Sequence, residues 1–232
     1  MNEDSTSLNK YIARTGYCSR READKLIEAG RVKINETVAR KGNRVFENDK
    51  VTLDDQPLKT NPHPIYIALN KPPGIVCTTD RKEEGNIVDF INHPKRIFPI
   101  DRLDKFSSGL ILLTNDGDIV NKILRVENNH EKEYIVKVNK EITPEFIKGM
   151  GAGVPILGTR TNRCRVRQIN DYTFKIILKQ GLNRQIRRMC EYFDYHVNDL
   201  KRIRIMNIKI SRLKLGKWRE LTREEVAGLK GE

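Results

Sequence analysis

Apolar and polar positions follow two different rhythms along the chain. Ala23, Leu26 and Ile27 recur at helical spacing after Ser19-Arg20-Arg21-Glu22. Those four residues form a capping box, in which the Ser19 hydroxyl and the Glu22 carboxylate satisfy backbone donors at a helix start. Gly30 suits the end of that helix. A shorter helix is predicted over residues 8–14, stopped by Thr15-Gly16. Val32 and Ile34 then alternate with Arg31 and Lys33, and Val51 and Leu53 repeat the two-residue rhythm after the Glu47-Asn48-Asp49 turn. Residues 8–58 therefore read as one small α/β unit, preceded by a flexible stretch at 1–7.

Residues 59–64 contain two prolines and no apolar side chain, which marks a linker. Beyond it strands dominate: Ile65–Leu69, Leu110–Thr114, Lys132–Val138, Thr173–Lys179 and Ile203–Ile210 carry strand-like patterns. Helices are predicted over Asp118–Arg125, from Thr143-Pro144 onward, over Arg184–Phe193, and after a second capping box at Thr222-Arg223-Glu224-Glu225. Runs of strands interrupted by a few helices predict an α+β domain over 65–232, built on a mixed, mostly antiparallel sheet.

Charge adds the first functional hint. The 232 residues carry a net charge of +13, with 32% charged and 38% apolar positions. That is a globular balance with a strong bias toward a polyanionic partner. Between Leu8 and Arg44, ten cations including Arg20, Arg21 and Arg31 face four acids. A helix start followed by a basic strand would gather them on one electropositive face. No apolar run approaches the roughly 18 residues that span a bilayer, and residues 1–7 do not resemble a secretory signal. A cytoplasmic, membrane-free monomer is the expectation. Cysteines 18, 77, 164 and 190 and histidines 63, 93, 130 and 196 show no metal-ligand spacing, so reduced structural cysteines and no metal are expected.

Four segments could carry chemistry. Asp101-Arg102-Leu103-Asp104-Lys105 is a polar loop before the apolar run Leu110-Ile-Leu-Leu113. Adjacent cations would keep an aspartate there ionised, fit to act as nucleophile or base, although a structural ion pair gives the same pattern. Asn183-Arg184-Gln185-Ile186-Arg187-Arg188 sets arginines near a helix start, where they oppose the helix dipole unless an anion neutralises them. Asn70-Lys71-Pro72-Pro73-Gly74 is a rigid turn that holds Lys71 beside a strand. Tyr134, on the strand Lys132-Glu133-Tyr134, could stack on a base or be a core residue.

As an ordered set, Leu69-Asn-Lys-Pro-Pro-Gly74, Arg102-Leu-Asp104 with Gly109–Gly117, Lys132-Glu-Tyr134 and Asn183–Met189 resemble the RsuA/RluF family of bacterial ribosomal RNA pseudouridine synthases. Asn128–Tyr134, Gly153–Gly158, Gln180–Glu191 and Arg204–Asn207 are similar to the branch that modifies large-subunit (23S) ribosomal RNA. The resemblance implies an S-four-type RNA-binding domain over 8–58 and a cofactor-free, base-flipping catalytic domain over 65–232. It implies Asp104 as nucleophile or base, Tyr134 as the tyrosine stacked on the target uracil, and Arg187 as the partner of the aspartate, with Arg188 the alternative. Arg102, Lys105, Arg184, Gln185, Arg188, Lys71, Arg20, Arg21 and Arg31 would contact RNA. A ribosomal stem-loop is the implied partner; a transfer-RNA loop, or RNA binding without catalysis, are the rival readings. The family usually has glycine where Asp101 stands; Asp101 is expected to turn to solvent or pair with Arg102, and it is the rival to Asp104 for the catalytic role.

Overall fold

The computed structural model describes residues 5–59, 63–124 and 130–232, and only the backbone of Asn121 and Leu124. Parts of four expectations lie outside the described residues: 1–4 of the N-terminal stretch, 60–62 of the linker, residue 125 at the end of the helix predicted over 118–125, and residues 128–129 of the Asn128–Tyr134 resemblance. The chain divides into two compact units, Met1–Pro64 with Pro94–Arg96, and Ile65–His93 with Ile97–Glu232.

In the first unit, helices Leu8–Arg14 and Arg20–Glu28 pack on a four-stranded antiparallel sheet ordered Thr37–Val38, Val32–Ile34, Val51–Leu53, Gln56–Pro57. The capping box forms as the pattern predicts: the Glu22 amide donates to Ser19 Oγ at 3.2 Å, and the Ser19 amide donates to Glu22 Oε2 at 2.7 Å. Ile12, Ala23, Ile27, Val32, Val51 and Leu53 close the core, which leaves Arg20, Arg21 and Arg31 exposed.

The second unit is built on a nine-stranded sheet. Its order runs Arg165–Asn170, Thr173–Leu178, Lys132–Val138, Val197–Ile205, Ser108–Thr114, Tyr66–Lys71, Trp218–Glu220. Ile208–Lys209 joins Val197–Ile205, and Phe98–Ile100 joins Ser108–Thr114. Every recorded pairing in this sheet is antiparallel except that of Val197–Ile205 with Ser108–Thr114. The fold is α+β with a mixed, mostly antiparallel sheet, as the pattern predicts.

Burial explains the two kinds of strand. Tyr66–Lys71 and Ser108–Thr114 are buried at every position. Ile67, Leu69, Ile111 and Leu113 enter one core, while Tyr66, Ala68, Leu110 and Leu112 enter a second core on the other face with Ile119, Ile123 and Leu229. A strand covered on both sides reads as a continuous apolar run. The outer half of the sheet differs. Tyr134, Val136, Val138, Phe174, Ile176 and Leu178 enter the first core, and their alternates are only half-buried or exposed.

Two element predictions need correction. Ile203–Ile210 is not one strand: Val197–Ile205 ends at a turn where Met206 adopts φ 50°, and Ile208–Lys209 folds back on it. Arg184 is not helical; it precedes the helix Gln185–Tyr192 with φ 49°. Short strands such as Phe98–Ile100 and Trp218–Glu220 went unpredicted, because two or three residues carry no rhythm.

The single parallel junction depends on Gly109. It lies opposite Arg202 with φ +104°, and a Cβ there would stand 2.2 Å from the Arg202 carbonyl oxygen. Only glycine admits both the backbone angle and this approach. Gly109→Ala is expected to lower stability by at least about 2 kcal/mol, read as a fall in the urea midpoint at unchanged slope; an unchanged midpoint would mean that the junction relaxes freely.

Candidate active site

The loop between Phe98–Ile100 and Ser108–Thr114 is held at its first residue. Asp101 adopts φ 69°, which turns its side chain inward rather than to solvent. Its Oδ2 accepts from Arg202 Nη1 at 2.8 Å and pairs with Lys132 Nζ at 2.8 Å. Arg202 is fully buried, and its Nε donates to the Leu110 carbonyl at 2.7 Å. The expectation that Asp101 faces solvent or pairs with Arg102 is therefore corrected: two buried cations require an anion, and Asp101 supplies it. Burial pushes the Asp101 carboxyl up, but Arg202 and Lys132 outweigh this and hold it below the usual range.

The rest of the loop is pinned by backbone contacts. The Leu103 amide donates to Cys77 Sγ at 3.4 Å, and the Ser107 amide to the Asp104 carbonyl at 3.0 Å. Lys71 lies beneath, fully buried. Its ammonium donates to the carbonyls of Pro72 and Ile75, each at 2.9 Å, and of Lys105 at 3.1 Å. All of its donors are thus committed inside the fold, which corrects its assignment to RNA contact. Burial lowers the Lys71 pKa.

These constraints place Asp104 at a cleft of about 480 Å³. Its side chain keeps 34% exposure, with Arg187 Nε at 3.5 Å and Arg184 Nη1 at 3.7 Å. Arg187 is itself fixed, donating to the Val197 carbonyl at 3.1 Å and to Ser107 Oγ at 3.3 Å. The left-handed Arg184 breaks the chain just before the helix, so its side chain leaves toward Asp104. Tyr134 and Leu200 complete the apolar wall, and Arg102 and Lys105 are exposed at the rim.

Of the sequence-selected residues, the fold brings Asp104, Tyr134, Arg187, Arg184, Arg102 and Lys105 to this one cleft. Arg188 turns away and bonds to the Asn183 carbonyl and Oδ1, so the alternative pairing of Arg188 with Asp104 is corrected. Gln185 lines the cleft but is buried, and its Oε1 accepts the Leu182 amide at 3.0 Å. This acceptor holds the turn before the helix, which corrects its assignment as an RNA contact. Arg31 in the first unit is exposed but forms a two-point ion pair with Asp54. Arg202 and Ser107 escaped the sequence reading. A visible signal existed for Arg202: it repeats the inward register of Leu200 two residues earlier.

The family model described as RNA pseudouridylate synthase matches residues 65–192, and the S4 domain model matches residues 6–51. The chain is 57% identical over 231 residues to the dual-specificity RNA pseudouridine synthase RluF of Salmonella typhi, covering 99% of this chain and 80% of that protein. It is 33% identical over 232 residues to the ribosomal large subunit pseudouridine synthase B of Bacillus subtilis, covering 96% and 95%. A crystal structure of a pseudouridylate synthase matches with TM-score 0.72 at 28% identity, covering 96% of this chain and 99% of that one.

Because the folded pKa of Asp101 is depressed, its contribution is present above the ordinary value of 3.8 and is lost as pH falls through the folded value. Asp101→Asn is expected to cost about 3 kcal/mol at neutral pH, with the gap to the parent closing in acid. Denaturant titrations at pH 7 and pH 3 check this; a gap independent of pH would contradict the ion-pair origin.

Proposed function

The chain belongs to the RNA pseudouridine synthases, which makes it an isomerase, and we propose that it converts a specific uridine of large-subunit ribosomal RNA with Asp104 as the reacting carboxylate. The observation that carries the reading is the carboxylate–guanidinium contact at the cleft: a partly exposed Asp104 held 3.5 Å from the largely buried Arg187 side chain, beside the wall formed by Tyr134.

The reaction breaks the N1–C1′ bond of uridine, turns the base, joins C5 to C1′ and releases the C5 proton, while N1 gains a proton, so that two bonds break and two form. Atoms and the overall oxidation level are conserved, so the chemistry requires no external oxidant or reductant. The uracil must leave its stack to reach a carboxylate set inside a cleft. In the proposal Tyr134 receives the flipped ring and assists removal of the C5 proton. Asp104 acts at the sugar or base, and Arg187, itself held by Val197 and Ser107, keeps it aimed. Arg184, Arg102 and Lys105 take the phosphates at the rim, and Arg20, Arg21 and Arg31 give the S4 unit a second RNA-binding surface. The enzyme works as a cytoplasmic monomer. No helix among the described residues is long and apolar enough to cross a membrane.

The RluF relatives are named as having dual specificity. That name favours a second RNA substrate for this chain as well, with a transfer-RNA loop as the candidate.

Asp104→Asn is expected to reduce pseudouridine formation in unmodified large-subunit ribosomal RNA by at least about a thousandfold, while RNA affinity is retained. Single-turnover assays beside equilibrium binding separate the two effects. Turnover equal to that of the parent would remove Asp104 from the chemistry.

A further inference from the structure

The outer half of the large sheet is covered on one face only. Cys164 and Val166 on the edge segment, Phe174, Ile176 and Leu178 on the next strand, and Tyr134 and Val136 on the third all belong to the core. Their alternates face the other way and none is buried. On this open face Arg165 and Arg167 lie two residues apart on the strand, about 7 Å from each other, and the exposed Arg163 precedes them at the same two-residue interval just before the strand starts. Lys175 lies on the neighbouring strand Thr173–Leu178, and the exposed Lys179 follows directly after its end.

The carboxylates nearby do not balance these charges. Glu133 accepts Lys175 at 2.8 Å and Arg204 at 2.7 Å, and Glu131 takes Arg204 at 2.9 Å and Arg165 at 3.5 Å. Arg163, Arg167 and Lys179 have no acidic partner among the described residues. Arg167 also stands directly opposite Lys175 in the strand register, a like-charge cross-strand pair that disfavours the fold. The segment that carries the row passes beside the cleft, where the Asn162 amide donates to Oε1 of Gln180, a cleft residue, at 3.1 Å; the cations themselves lie on the sheet face opposite to Tyr134 and Leu178.

We propose that this row is a docking surface for the RNA backbone, engaging phosphates next to the segment whose uridine enters the cleft. A polyanion resolves what the protein leaves unpaired, and regular spacing along a strand suits a repeating charge. Ile135, Ile169 and Ile177 lie between the cations, and the face lacks the row of aromatic rings used to read bases. It therefore contacts backbone and adds affinity without sequence selection. The proposal rests on the pseudouridine synthase reading, because the occupant is the substrate RNA.

The test compares the full-length parent with the double variant Arg163→Gln, Arg167→Gln. The probe is an unmodified large-subunit ribosomal RNA transcript, with affinity measured across a salt series and the single-turnover rate measured at saturating enzyme. The double variant is expected to bind about tenfold more weakly at 0.1 M salt, with the slope of log affinity against log salt shallower by about 1.5. Its rate at saturation should match that of the parent. A control pair, Lys148→Gln with Lys214→Gln, removes the same charge from exposed sites elsewhere and should bind within about twofold of the parent. Unchanged affinity and slope in the double variant would overturn the proposal, and would leave these arginines as protection of an exposed sheet edge or as a site for an acidic protein. An equal loss in the control pair would also overturn it, by reducing the effect to net charge. Failure of the parent to make pseudouridine would instead remove the functional reading, and the binding comparison would still decide whether this face holds RNA.

Discussion

A guanidinium with no exposure to solvent sits where the two halves of the large sheet meet. Arg202 lies on the strand that makes the parallel pairing, opposite Gly109, and its Nε and Nη1 are taken by Leu110 and Asp101. Burying an unpaired arginine costs several kcal/mol, so the fold tolerates it only with an anion in contact. Burial works to lower the pKa of Arg202, yet Tyr134 and Asp101 outweigh it and keep the group charged. Lys132 shares the same carboxylate oxygen. Three strands and one loop are thereby tied through the Arg202–Asp101 pair, and the loop is the one that carries Asp104.

Function follows from the distance between these two acids. Asp101 is spent on structure, facing inward; three residues later Asp104 emerges at the cleft with partial exposure. Between them the chain is pinned by Cys77, and beyond them Lys105 receives the buried Lys71 ammonium. Ser107 extends the same loop to Arg187. The carboxylate and its guanidinium partner are thus positioned by one segment, which is the preorganisation the proposed reacting pair needs. Tyr134 joins them because its strand alternates: Lys132 reaches Asp101 and Tyr134 meets the cleft.

Much of this was legible in the sequence wherever a local rule decides the outcome. Both capping boxes, the Thr143 cap and the Lys132–Val138 strand form as their patterns dictate. Asp104, Arg187 and Tyr134 stood out by residue type and order, and the fold assembles them. What was not legible depended on distant partners. Lys71 looked like a cation presented beside a sheet, and only the folded chain shows three carbonyls converging on it. Asp101 looked solvent-facing because its partners are 31 and 101 residues away. Arg184 extended an apparent helix, since the left-handed backbone that excludes it leaves no trace in periodicity. Ile203–Ile210 kept a strand rhythm straight through a turn.

The dependence of the reaction on the buried cluster is tested most directly by the single-turnover rate of Arg202→Lys on saturating ribosomal RNA. Lysine keeps the charge but cannot donate to Leu110 and Asp101 together in the fixed geometry of a guanidinium. The Asp104 loop should then lose its anchor, and the rate should fall by about a hundredfold while RNA affinity changes little. A variant that binds the RNA normally and reacts at the parent rate would show that Asp104 is positioned without Arg202.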